Sequence, residues 1–269
     1  MLKSMFYGLV LSLQFFSRIP VPLQAPWHEQ VKVWALRFFP WVGAVIGLFV
    51  VLLASVFMPH VPSLFLTLLL LTVWVGLTGG LHLDGWLDVS DALGSQAPLE
   101  KKWRIMEEPQ VGSFAVLSVF FLLAWKGSLL YLLLTLWETQ DVLNQAGFLL
   151  IFILIPFISR LGGALLLLFL PVYKEEGLAW EWKRGLQLKD LSWFIIPFLI
   201  LCVCTAMVHT LWPYILFLTA GMTVYFFVFG SYLNRALGGI GGDVIGASVE
   251  GGEVWGLLLS WIYIWFVMV

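Results

Sequence analysis

Residues 63–91 read SLFLTLLLLTVWVGLTGGLHLDGWLDVSD. The run 63–79 is apolar enough to cross a bilayer as a helix, and it ends directly in a segment holding His82, Asp84, Asp88 and Asp91. A span followed without a spacer by three carboxylates decides the class of protein: helical, membrane-embedded, with polar chemistry at a membrane boundary. Acidic side chains are costly near hydrocarbon, so a cluster of them requires a compensating partner. Carboxylate oxygens are natural ligands of Mg²⁺, which makes a bound divalent cation the expected partner.

The rest of the chain agrees. Of 269 residues, 61% are hydrophobic and 11% charged, against about 25% charged in a soluble domain. The apolar stretches are continuous and helix-length, not the alternating strands of a β-barrel. Seven expected spans run over 34–57, 63–79, 111–136, 147–171, 191–209, 213–230 and 254–269, and the shorter apolar run 4–17 is read as an interfacial or re-entrant helix. The expected architecture is an all-α polytopic bundle forming one domain over residues 1–269, with no internal repeat. A net charge of −2 with no basic stripe argues against a nucleic-acid partner. Cys202 and Cys204 lie inside an apolar run and suit packing better than a disulfide framework. No cleavable signal peptide is expected.

Loop charges orient the bundle. Lys3, Arg18, Lys32 and Arg37 precede or open the first span. Lys101, Lys102 and Arg104 follow the second, Lys174, Lys183, Arg184 and Lys189 the fourth, and Arg235 the sixth, whereas 58–62, 137–146 and 210–213 carry no Lys or Arg. The positive-inside rule then places the N-terminus, Arg18, the Asp cluster, the 172–190 loop and the Gly-rich segment 238–253 at one cytoplasmic surface.

Three constellations carry chemistry. Asp84, Asp88 and Asp91 are spaced i, i+4, i+7, so a helix there projects all three from one face, where like charges repel until a cation binds. In a soluble protein a solvated acidic face would be the plainer reading; where charge is this scarce, a metal site is favoured. His82 is read as a ligand, an acid–base group or a hydrogen-bonded interfacial residue. Gly238, Gly239, Gly241 and Gly242, followed by Asp243, predict a break in helix structure and a backbone cradle for an anion, with Asp243 as a further metal carboxylate. Glu250 and Glu253 follow, where they could also cap and solvate the last span. Among the cations, Arg18 is a candidate for substrate phosphate. Arg160, beyond Pro156 in its span, is a candidate for a polar cavity, and Lys126 reads equally well as a snorkelling or salt-bridged residue.

Taken together these residues resemble the cobalamin synthases, the adenosylcobinamide-GDP ribazoletransferases. The likeness is carried in order by Phe15-Phe16-Ser17-Arg18-Ile19-Pro20-Val21-Pro22, Arg37-Phe38-Phe39-Pro40-Trp41-Val42-Gly43 and the Gly79–Asp91 segment. It continues through Ile105-Met106, Val111-Gly112-Ser113-Phe114, Ser159-Arg160 and Gly238 through Glu253. Departures are Glu107-Glu108 where the family usually has Lys-Asp, Gly241 where it has Thr, and Lys174 where it has Arg. The resemblance implies a Mg²⁺-dependent enzyme of the bacterial inner membrane that joins adenosylcobinamide-GDP to α-ribazole or its 5′-phosphate and releases GMP. It implies Asp84, Asp88, Asp91 and Asp243 as metal carboxylates. His82 is expected to join the three helix aspartates in catalysis, one of which, Asp91 for instance, would accept the hydroxyl proton. Arg18, Arg160, Gly238, Gly239, Gly242 and Glu250 are implied to contact substrate. A homo-oligomer, or association with other cobalamin-assembly enzymes, stays open.

Two other readings are weaker. CDP-alcohol phosphotransferases carry a comparable Asp-Gly-centred set, but their leading Asp would fall on Leu81. A cation-coupled transporter would place its carboxylates near the midplane and usually shows an inverted repeat.

Overall fold

The computed structural model describes residues 1–138, 142–206 and 212–268, and among these it is all-helical. The helices are α1 (Leu2–Phe16), α2 (Glu29–Phe57), α3 (Ser63–Thr78), α4 (Leu81–Gly94), α5 (Leu99–Glu107), α6 (Ser113–Glu138), α7 (Val142–Phe169), α8 (Gly177–Lys183), α9 (Leu191–Ala206), α10 (Trp212–Leu237) and α11 (Gly242–Tyr263). Four of the described helices, α2, α6, α7 and α10, are long and apolar enough to cross a membrane, or five crossings if α3 and α4 are one broken span. The expected count of seven is therefore not confirmed among the described residues. Helices α3 and α9 have 16 described residues each, short of the ~20 that span a hydrocarbon core. The expected connections 137–146 and 210–213 and the end of the expected span 191–209 fall partly outside the described residues.

Large apolar side chains point outward on the bundle surface, among them Phe120, Phe121 and Trp125 on α6 and Phe227 on α10. A water-facing protein avoids so broad an apolar face, and a lipid-facing one needs it. Helix α7 is the buried helix. It packs on α2 through Gly43 and Gly47, where an added methyl group would overlap the α7 backbone at Pro156 and Phe152. Such small-residue spacing lets helix backbones approach where lipid supplies no hydrophobic drive.

The Gly-rich segment departs from expectation. The chain breaks only around Gly238 (φ +72°) and Gly239 (φ +153°), and residues from Gly242 onward form a continuous helix. Gly246 and Gly252 face neighbours instead of weakening the helix: a methyl on Gly246 would sit 3.1 Å from the His82 backbone, and one on Gly252 3.0 Å from the Phe226 ring. Glycine lowers helix propensity by about 1 kcal/mol, and here close packing outweighs it. Helix α11 thereby contacts α4, α6, α7 and α10 and forms the hub of the bundle.

Candidate active site

The chain turns sharply where α3 meets α4. Gly79 (φ +66°) and Gly80 (φ +74°) hold left-handed conformations that other residues avoid, and the two helices meet at 88°. Helix α4 therefore leaves the direction of the apolar α3 and presents its acidic face at the end of the bundle. That face meets the first turn of α11 at Gly85, where a methyl group would lie 2.6 Å from the Asp243 carbonyl oxygen. The glycine of the Asp-Gly pair thus brings a fourth carboxylate, Asp243, beside the helix. Asp88 carries the charges of Asp243, Asp84 and Asp91 as repelling neighbours. Burial, then the charges of Asp84 and Glu107, push the Asp243 carboxyl up to about 6.

The four carboxylates are not equivalent. Asp91 accepts hydrogen bonds from the backbone N–H groups of Gly112 (2.5 Å) and Ala115 (2.8 Å), so it closes the open N-terminus of α6. Asp84 is exposed and Asp88 half-buried, with no salt bridge to either among the described residues. The remaining donor set fits a hard divalent cation, because oxygen ligands of like charge gain most from one. Among the described residues no three His, Cys, Asp or Glu side chains form a ready cage for a metal. A Mg²⁺ held by one or two carboxylates and completed by substrate phosphates has that character.

Three depressions converge on this point. A cleft of about 500 Å³ runs past Arg18, Gly79, Gly80 and Asp84. The Arg18 backbone N–H donates to the Leu77 carbonyl (2.7 Å), and its side chain lies over Gly79, leaving the exposed guanidinium without an ion-pair partner among the described residues. A second cleft, about 360 Å³, passes Glu107, Lys174, Gly241, Gly242 and Asp243. Gly242 opens α11 with free space above it and no side-chain cap, so the first-turn N–H groups are available to an anion. A third depression is apolar and is lined by Asp84, Asp243 and His82, whose two ring nitrogens have no hydrogen-bond partner.

The sequence profile of the cobalamin-5-phosphate synthases matches residues 8–261. The chain belongs to that family. Relatives named adenosylcobinamide-GDP ribazoletransferase include one from Geobacillus sp. (strain WCH70), 33% identical with 100% of both chains covered. Others are from Halalkalibacterium halodurans, 32% identical over 93% of this chain and 94% of the relative, and Acinetobacter baumannii, 30% identical over 96% and 98%. No solved structure matches. Membership makes the chain a transferase of cobalamin biosynthesis, and its apolar helices make it a multi-pass membrane protein.

Other candidate residues of this synthase lie elsewhere. Arg160 and Glu250 are not at the clefts but inside the bundle, with Lys126 and Glu253, all four 0–2% exposed. Lys126 Nζ reaches Glu250 at 2.9 Å and Glu253 at 2.5 Å, while Arg160 Nη1 reaches Glu253 at 2.8 Å and the Pro156 carbonyl at 3.1 Å. Two cations and two anions cancel there, and Lys126 lies 4.9 Å from the Trp74 ring centroid. The expectation that Glu250 and Glu253 solvate the end of a span is overturned: both point into the bundle, where only paired charge is tolerated. Gly238 packs on Leu99 and Gly239 on the Tyr173 backbone, so both shape the turn, while Gly242 alone of the three glycines lines the clefts. Sequence reading also missed the pairing of two departures from the family pattern. Glu107 accepts from Lys174, and that bond holds the Lys174 ammonium above its usual pKa.

Proposed function

We propose that the protein joins adenosylcobinamide-GDP to α-ribazole, or its 5′-phosphate, with release of GMP. The observation that carries this reading is the convergence of unpartnered carboxylates, a free guanidinium and an open helix N-terminus at one point between clefts. Asp84 and Asp88, one helical turn apart, would hold Mg²⁺. When bound, the ion would neutralise pyrophosphate charge and favour departure of GMP. Arg18 and the N–H groups at Gly242 hold phosphate oxygens from either side. Asp243 stands between the apolar cavity and the polar cleft, where the hydroxyl of one substrate meets the phosphate of the other. The ribazole hydroxyl oxygen bonds to the phosphorus carrying cobinamide, the bond from that phosphorus to the GMP oxygen breaks, and Asp243 takes the hydroxyl proton. Asp91 keeps α4 and α6 in register. The clustering of basic loops with these groups supports an inner-membrane enzyme whose site faces the cytoplasm.

The test is direct. Purified protein in nanodiscs, given adenosylcobinamide-GDP, α-ribazole and Mg²⁺, is expected to release GMP, and to stop when the metal is chelated. Folded protein that releases none from authentic substrates refutes the reading.

A further inference from the structure

The apolar depression beside the carboxylates has features that the transfer reaction alone leaves without a task. Its volume is about 130 Å³, roughly ten times what a single ordered water needs. Phe16 of α1, Phe39 of α2 and Trp182 of α8 form an aromatic wall, with ring centroids 4.2 Å apart for Phe16–Phe39 and 5.4 Å for Phe16–Trp182. His82 belongs to the same lining, is 3% exposed, and has neither ring nitrogen satisfied. A buried polar group without a partner is destabilising, so an arriving ligand atom that pairs with it is favoured. Asp84 and Asp243 belong to the same lining, and Asp243 also lines the polar cleft.

Resting on the proposed reaction, three ring systems compete for this cavity. A corrin macrocycle fringed with amides is too large and too polar for it. Guanine carries an amino group, a ring N–H, a carbonyl and a ring nitrogen acceptor, and apolar walls would strand most of them. The dimethylbenzimidazole of ribazole has methyl and C–H edges and one free ring nitrogen, an acceptor. We propose that this cavity binds that base, flat against Phe16, Phe39 and Trp182, with His82 donating a hydrogen bond to the free ring nitrogen. The attached ribose then emerges at Asp243, next to the phosphate it must meet.

The experiment reads equilibrium binding by calorimetry on the full-length protein in nanodiscs, so it does not depend on turnover. Wild type is expected to bind α-ribazole at least tenfold more tightly than the dimethylindole riboside, which replaces the acceptor nitrogen by C–H. The variant His82→Ala is expected to bind the two alike. Ala164→Phe, which intrudes on the cavity from α7 and lines neither of the two polar clefts, is expected to weaken α-ribazole at least tenfold and the unsubstituted benzimidazole riboside less, leaving adenosylcobinamide-GDP within twofold. Discrimination that survives in His82→Ala, no binding of α-ribazole by wild type, or an Ala164→Phe effect confined to adenosylcobinamide-GDP overturns the assignment. Should Ala164→Phe unfold, the smaller Ala164→Leu carries the same expectation. Tight, nitrogen-dependent ribazole binding without GMP release would sink the proposed activity and leave this site standing.

Discussion

The molecule holds two clusters of charge a few turns of helix apart, and they obey opposite rules. Asp84, Asp88, Asp91 and Asp243 share one sign, lie at an accessible end of the bundle, and form no salt bridge among the described residues. Lys126, Arg160, Glu250 and Glu253 are evenly balanced, almost fully buried, and joined by contacts of 2.5–2.9 Å. Both include residues from α11, so composition alone does not separate them. Balanced charge in the interior is neutral as a group and ties α6, α7 and α11 together. Unbalanced charge at a cleft is incomplete until a ligand arrives, which is the property a binding site requires.

Substitutions can break this contrast. The largest effect is expected for Lys126→Met, which leaves two buried glutamates facing Arg160 alone. Loss of one partner from a buried pair costs about 3–5 kcal/mol, measured by unfolding in detergent, and the double variant Lys126→Met/Glu250→Gln should recover part of it. If Lys126→Met unfolds like wild type, the buried cluster is not structural. Asp84→Asn should act in the reverse sense, lowering GMP release about 10²–10³-fold without loss of thermal stability, because it removes one of several repelling charges. A fall in stability with activity intact would exchange the roles of the two clusters. For Gly85→Ala, displacement of the first α11 turn should cost about 10²-fold in turnover, with little change in Mg²⁺ affinity if Asp84 and Asp88 alone hold the ion. The smallest effect belongs to Lys174→Ala at the half-exposed Glu107 pair. Surface pairs contribute little, so its unfolding midpoint should not move measurably, and a clear shift would show that this cleft is stiffer than its exposure suggests.

Much of this was legible from residue order. The spacing of Asp84, Asp88 and Asp91 predicts one acidic helix face, and α4 supplies the helix. Arg18 reads as a juxtamembrane cation near the site and does share a cleft with Asp84. Lys126, read equally as snorkelling or salt-bridged, proves to be salt-bridged. Other positions misled for identifiable reasons. Glycine density at 238–253 suggests a broken chain because propensity is a local property, whereas Gly246 and Gly252 answer to neighbours from α4 and α10. Arg160 and Glu250 look like ligand contacts because a lone charge in an apolar run demands a partner. That Arg160 pairs with Glu253, and Glu250 with Lys126, is a fact of α6, α7 and α11 packing. The aromatic cavity combines residues from α1, α2, α4, α7, α8 and α11, too scattered along the chain for any periodicity to reveal.

By itself the sequence determined the helical membrane class, the family, and the presence of an acidic site beside a span, because hydropathy, helical spacing and ordered motifs act over short stretches of chain. Only the tertiary structure decided which charges are spent on each other and which stay open to a ligand. It also decided that Asp91 closes a helix end, and that His82 faces a cavity without a partner. Those outcomes depend on what packs against each side chain, and the neighbours come from helices far apart in the chain.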